Sequence, residues 1–145
     1  MSESFASIVN DFPVNSIRVG HGVVLINVFR LDPDKAAAFV ATQVSEYKRL
    51  QGAFPGSLSA NLHLSHDHTQ AVNYAHFSSV DASMAMRQST AFAEHVERLK
   101  GLVLEADPQL YTMAHTQHTD RPITEAPLPP LGDPALAPRL DSVKP

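Results

Sequence analysis

Hydrophobic and polar positions change rhythm several times along this chain, and each change marks an element. Gly22 to Arg30 reads Gly-Val-Val-Leu-Ile-Asn-Val-Phe-Arg, a near-continuous β-branched and aromatic run that predicts a central strand buried on both faces. Asp32-Pro33-Asp34 then predicts a helix start, with Asp as N-cap and Pro in the first turn, where its missing donor costs nothing. The helix is expected through about Leu50, with Ala36, Phe39, Val40, Val44 and Tyr47 as its apolar stripe and Gly52 as its stop. After the turn signal Pro55-Gly56, strict alternation returns: Leu58, Ala60, Leu62 and Leu64 share one face, Ser59, Asn61 and His63 the other. Asp67-His68-Thr69 makes a short hairpin connection into Ala71-Val72-Asn73-Tyr74-Ala75-His76-Phe77. In that strand Asn73 and Phe77 lie on one face, and Val72, Tyr74 and His76 on the other.

Ser78 or Ser79 caps a helical region over about Val80 to Lys100, which Ser89-Thr90 interrupts and recaps, with Phe92, Val96 and Leu99 turned inward. A last strand is expected from Gln109 to about His118. The order is β-α-β-β-α-β, an α+β, ferredoxin-like arrangement with both helical regions on one face of an antiparallel sheet. Its other face is partly apolar, so a homodimer with the two sheets packed together is expected. Residues 1–20 form an N-terminal arm, 21–118 the domain, and 119–145 a tail. Residues 121–145 hold seven of the eleven prolines and no aromatic residue, which predicts an extended segment.

Composition narrows the function classes. A chain of 145 residues, 43% hydrophobic, supports one domain with a core. A net charge of −4 with scattered Lys and Arg argues against a nucleic-acid partner. No apolar run is long enough for a membrane span, and the N-terminus lacks the basic and apolar regions of a secretory signal, so a cytoplasmic protein is expected. The chain has no cysteine, which removes disulfides, thiolate metal sites and cysteine nucleophiles.

The remaining chemistry rests on amides, histidines and rings. An amide (Asn73) and a ring (Phe77) four residues apart on one strand face can orient a flat polar aromatic molecule, although an ordinary half-buried strand has the same pattern. His63, mid-strand, is a candidate general base if its face opens onto a pocket. His76 is expected at the dimer contact. His66 and His68 flank the hairpin, but with Asp67 as the only nearby carboxylate no metal site is expected. No phosphate-cradling loop, dinucleotide fingerprint or Ser-His-Asp ordering is present. An enzyme built on these residues would rely on acid–base groups and an apolar cavity, or on a ligand such as heme.

The segments Pro55-Gly56-Ser57-Leu58-Ser59-Ala60, His63 and Val72-Asn73-Tyr74-Ala75-His76-Phe77 resemble the antibiotic biosynthesis monooxygenase family, nearest to its small enzymes that oxidise aromatic polyketides to quinones. The resemblance covers about residues 20–118. It implies a dimeric α+β barrel and a cofactor-independent monooxygenase acting with O2 on an anthrone- or hydroquinone-like substrate. Asn73 and His63 are then the catalytic candidates, and Phe77, Asn27, Tyr74 and His95 the substrate-binding ones. Phe77 stands where the family has a strand Trp, and Ser83 falls near a family Tyr; both depart from the pattern. An alternative within the superfamily is a heme-degrading oxygenase: Asn27 and His95 match its strand Asn and helix His, while Met86 falls where it has Trp. The third reading is a non-catalytic dimeric module that binds a small molecule.

Overall fold

A computed structural model describes residues 19–117 and 131–135. In chain order the elements are β1 (Val23–Arg30), α1 (Ala36–Leu50), β2 (Ser57–Leu64), β3 (Gln70–Phe77), α2 (Val80–Arg87), α3 (Thr90–Arg98) and β4 (Glu105–Tyr111). The strands form one sheet in the order β2-β3-β1-β4, with every neighbouring pair antiparallel. This is the ferredoxin-like α+β arrangement expected from the patterning. No helix among the described residues is long and apolar enough to cross a membrane.

Local chemistry explains the boundaries. Asp32 accepts from the Asp34 N–H at 2.9 Å and starts a single 3-10 turn, Pro33–Lys35, which leads into α1. Gly52, at φ +78°, reverses the chain just past α1. The Ser79 and Ser89 hydroxyls accept from the Ala82 and Phe92 N–H groups, each at 3.0 Å, so the break expected at Ser89-Thr90 separates α2 from α3. In the hairpin turn Asp67 accepts from Ser65 and from both the N–H and the hydroxyl of Thr69. The Thr69 hydroxyl foremost holds the Asp67 carboxyl down at about 2.

Two expectations are corrected. The last strand is Glu105–Tyr111 rather than Gln109 to 118. Pro108 stands in its middle, and a proline without an N–H is tolerated there because β4 is an edge strand that pairs only with β1. In α1 the buried residues are Ala36, Phe39, Gln43 and Glu46, while Val44 is exposed. The inward stripe thus carries two polar side chains that an apolar count passes over. Of the expected arm, 1–18, and of the expected tail, 119–130 and 136–145, lie outside the described residues; Gly132 is buried and its carbonyl accepts a hydrogen bond from His68 Nε2 at the hairpin.

The core lies between the sheet and the helices and is divided in two. One cluster gathers Phe29, Leu31, Ala36, Phe39, Ala71 and Leu99; the other gathers Leu25, Ala75 and Phe77, with Ala82 and Met86 packed against it. The register explains the division. Phe29 pairs with Ala71 and Leu25 with Ala75, and the row between them is Asn27 opposite Asn73.

The entry to β1 depends on one glycine. Gly22 sits at φ +71°, and a Cβ there would lie 2.1 Å from the Phe77 carbonyl oxygen. Gly22→Ala is expected to destabilise the fold by about 2 kcal/mol or more, through backbone strain and displacement of β3. Chemical denaturation checks this; a change under about 0.5 kcal/mol would show that the strand end relaxes freely.

Candidate functional site

The apolar clusters part around a cavity of about 1010 Å³ between the sheet and the helices. That volume lies at the upper end of the range of about 300–1,000 Å³ usual for ligand pockets. Asn27 and Asn73 form its floor, with Phe77 at one end. The Oδ1 atoms of both asparagines are buried and meet no hydrogen-bond partner among the described residues. Leaving such an acceptor unpaired costs about 1–3 kcal/mol, so two on one row are an uncommon expense in a protein core. Each amide has an oxygen to accept with and an NH2 to donate with, so the row can meet a hydroxyl or a carbonyl equally.

The opposite wall comes from α1 and α3. Gln43, 1% exposed, donates from Nε2 to the Tyr47 hydroxyl at 3.0 Å, and its own Oε1 is a third buried acceptor with no partner among the described residues. Burial holds the Tyr47 phenol well above its ordinary range, partly offset by the Gln43 hydrogen bond, so it stays protonated and keeps an O–H to donate. His95, buried on α3, completes the polar set. Its ring stands against Phe92, with centroids 5.8 Å apart, and its Nδ1 is 3.2 Å from Glu46 Oε1.

Glu46 ties the two helices together. Its carboxylate is buried at 4% exposure and accepts two hydrogen bonds of 2.8 Å from Arg49 on its own helix. From α3 it receives the His95 contact and longer ones of 3.4 Å from Arg98. The Arg49 bonds foremost, with His95 and Arg98 after them, pull the carboxyl from the usual 4.5 to about 2, against the opposing effect of burial. Burial lowers the pKa of His95 and outweighs the pull of Glu46 in the other direction; Arg49 and Arg98 lower it further.

The cavity therefore collects four of the six residues singled out from the sequence: Asn73, Phe77, Asn27 and His95. It does not collect His63 or Tyr74. His63 pairs with Val72, and their rows face away from the helices, where the His63 and Tyr74 rings lie 6.2 Å apart. Period-two alternation separates them from Asn73, so a joint Asn73–His63 site within one protomer does not form. Met86 lines the cavity, whereas Ser83 is buried in α2 away from it. Sequence reasoning missed Gln43 and Glu46; their spacing from Phe39 at i+4 and i+7 was the available signal. Among the described residues no group of three His, Cys, Asp or Glu side chains converges as a metal site would require.

Comparison with known proteins agrees with this architecture. The model of the antibiotic biosynthesis monooxygenase family matches residues 22–98, and the chain belongs to that family. Among solved structures it is similar to a monooxygenase from the gene ActVA-Orf6 of Streptomyces coelicolor, solved in complex with nanaomycin D. The identity is 27% over 68% of this chain and 93% of that one, with a TM-score of 0.57. It is also similar to SnoaB, a cofactor-independent oxygenase from Streptomyces nogalater, at 22% identity over 67% of this chain and 97% of that one, with a TM-score of 0.54. A conserved protein from Methanosarcina mazei Go1 shares the fold at 12% identity over 63% of this chain and 92% of that one, with a TM-score of 0.57. No curated protein matches the sequence.

The Glu46 cluster generates a stability prediction whose sign follows from the depressed carboxyl. A group that binds its proton less readily when folded stabilises the protein above its unfolded pKa and loses that contribution as pH falls through the folded one. Glu46→Gln is expected to cost about 1–3 kcal/mol near pH 7. The gap to the wild type should stay level above about pH 5 and close between the usual 4.5 and about 2. Urea titrations across that range measure it; a gap of constant size down to pH 2 would show that Glu46 carries no charge-dependent load.

Proposed function

We propose that this chain is a cofactor-independent monooxygenase that oxidises a hydroxylated polycyclic aromatic substrate, of anthrone or hydroquinone type, with molecular oxygen. The observation that carries the reading is the Asn27–Asn73 row, whose two unpartnered carbonyl oxygens lie in the floor of a largely apolar cavity. A flat aromatic molecule fills the apolar space, and its oxygens meet the amides. Family membership supports an oxygenase, and the description of SnoaB as cofactor-independent supports chemistry without a bound group.

The chemistry suits such a site. An anthrone methylene loses a proton to give an anion delocalised onto the ring oxygen. That anion reduces dioxygen; one oxygen atom becomes the new carbonyl and the other leaves as water, which balances CH2 + O2 against C=O + H2O. The protein's contribution is to hold the rings, keep water out and donate to the developing oxyanion. Asn73 and Asn27 are the donors, with the Tyr47 hydroxyl placed on the opposite wall. Phe77 supplies a wall without a polar handle, so polar recognition falls on the amides.

We extend the proposal to a homodimer. The sheet face turned away from the helices carries the half-buried Ile26, Val28, Val72 and Tyr74, and a second copy packed there would bury them further. Light scattering is expected to give twice the chain mass of 15.8 kDa; a value at the chain mass itself would refute the dimer.

Oxygen uptake with anthrone as substrate tests the activity. Wild-type protein should accelerate uptake, and Asn73→Ala should lower kcat/KM by about 10²-fold or more with an unchanged far-UV spectrum. Absence of uptake with both anthrone and hydroquinone substrates would overturn the reading. Hemin serves as the control ligand: a Soret shift abolished by His95→Ala, without anthrone oxidation, would favour the heme-degrading alternative.

A further inference from the structure

We propose that His95 is the residue that takes the proton from the substrate, and that Glu46 is the positioning residue that holds it in the reactive tautomer. This rests on the oxygenase reading above and names the base that reading leaves open. An ionised carboxylate has no hydrogen to give, so the 3.2 Å contact between Glu46 Oε1 and His95 Nδ1 requires the hydrogen to be on Nδ1. The ring's lone pair is then on Nε2. That atom makes no hydrogen bond to any described residue, and His95 is among the residues that line the cavity whose floor is the asparagine row. A carboxylate that fixes the tautomer of a histidine and steadies the imidazolium that follows is a recurrent way of building a base.

The step is a proton transfer alone. A C–H or O–H bond of the substrate breaks, its proton goes to Nε2, and the electron pair stays on the ring system as an anion held by Asn27 and Asn73. Dioxygen is reduced only afterwards, and the imidazolium can return the proton to the peroxide anion formed then. No other side chain in the cavity suits the role as well. Tyr47 keeps its proton, and Lys48, Arg87 and Lys100 along the cavity wall are cations. The sheet contributes no charged lining residue among the described residues. Around the imidazole stand Glu46 and Arg49 on α1 and Arg98 on α3. Burial foremost, and after it the two arginines, holds the His95 pKa below its ordinary value, so the ring rests unprotonated near pH 7 while Glu46 keeps its orientation. Activity should rise with pH as His95 loses its proton, with an acid limb below the ordinary histidine range.

Anthrone bound without oxygen separates this proposal from the oxygenase reading, because the anthrone anion absorbs at longer wavelength than the neutral form. Wild-type protein should generate the anion; His95→Gln should bind anthrone within a few fold yet leave it neutral, and should lose about 10²–10⁴-fold in kcat/KM under air. Glu46→Gln should cut the anion fraction and move the acid limb to lower pH, since His95 then faces two arginines without their counter-charge. A lowered rate with the limb unmoved would reduce Glu46 to a structural role. Anion formation unchanged in His95→Gln overturns the assignment, as does a wild-type protein that binds anthrone and leaves it neutral, even where oxygen is consumed. Anion formation that depends on His95 without oxygen uptake would support the base and refute the oxygenase. Nitrogen-15 spectra of the wild-type histidines give a check that needs no variant to fold: His95 should carry its hydrogen on Nδ1, and an Nε2–H tautomer would overturn the proposal.

Discussion

A sheet face that has to bury polar amides in its middle row cannot close over itself, and this constraint organises the molecule. Above and below that row the strands carry Phe29 with Ala71 and Leu25 with Ala75, which pack normally against the helices. Were positions 27 and 73 apolar, the two clusters would merge, and the helices would settle at ordinary core density. With Asn27 and Asn73 there, the clusters stay apart and the space between them stays open. Two buried acceptors without a protein partner cost stability, and a group bringing hydroxyl or amide hydrogens into the space would satisfy them. The space is thus a part of the core that the side chains of the described residues do not fill.

Such a cavity needs its far wall held at a distance, and apolar packing alone would tend to draw it in. Glu46 joins the two helices that make this wall. A buried carboxylate gripped from α1 by Arg49 and from α3 by His95 and Arg98 sets the relation of the two helices by directed bonds of fixed length. Buried ion pairs add little net stability compared with apolar packing, but breaking one leaves a charge without a partner, so the geometry is sharply defined. The same carboxylate reaches the one histidine in the cavity wall. The joining of the two helices and the orientation of a candidate base therefore rest on a single side chain, and the two roles have to be separated by pH and tautomer rather than by loss of activity.

The fold was legible because its signals are local and apolar. β-branched runs, strict alternation over Leu58 to Leu64, and caps at Asp32, Ser79 and Ser89 each depend on near neighbours, and the β-α-β-β-α-β order follows from their succession. The last strand was misplaced because Pro108 reads as a breaker; only the sheet order, unknown from one strand, reveals an edge where proline is tolerated. The site was legible in its floor and not in its opposite wall. Asn73 and Asn27 stand out as amides inside apolar strands, whereas Gln43 and Glu46 look like ordinary helix surface until α3 is laid against them. His63 misled for the opposite reason, since a histidine in a strand looks functional whichever face it is on, and the register turns it away from the asparagines.

One departure from the resemblance bears on the cavity. Phe77 stands where the family pattern has an aromatic side chain with a hydrogen-bond donor, so the cavity lacks that donor at its Phe77 end. Polar groups in the cavity include two strand amides, the Gln43–Tyr47 pair and His95, with Lys48, Arg87 and Lys100 along its wall. Under the proposed function, the substrate would carry its oxygens near the middle of a flat frame and apolar rings toward Phe77. Removing a donor from one end loosens the choice of substituent there, because an apolar wall discriminates only weakly between substituents, while buried amides disfavour any frame that leaves them unpaired. Under the proposed function, the Phe77 departure therefore acts on which aromatic is accepted. The groups that would drive proton removal and hold the anion, Asn73 on the same strand included, are at other positions of the cavity.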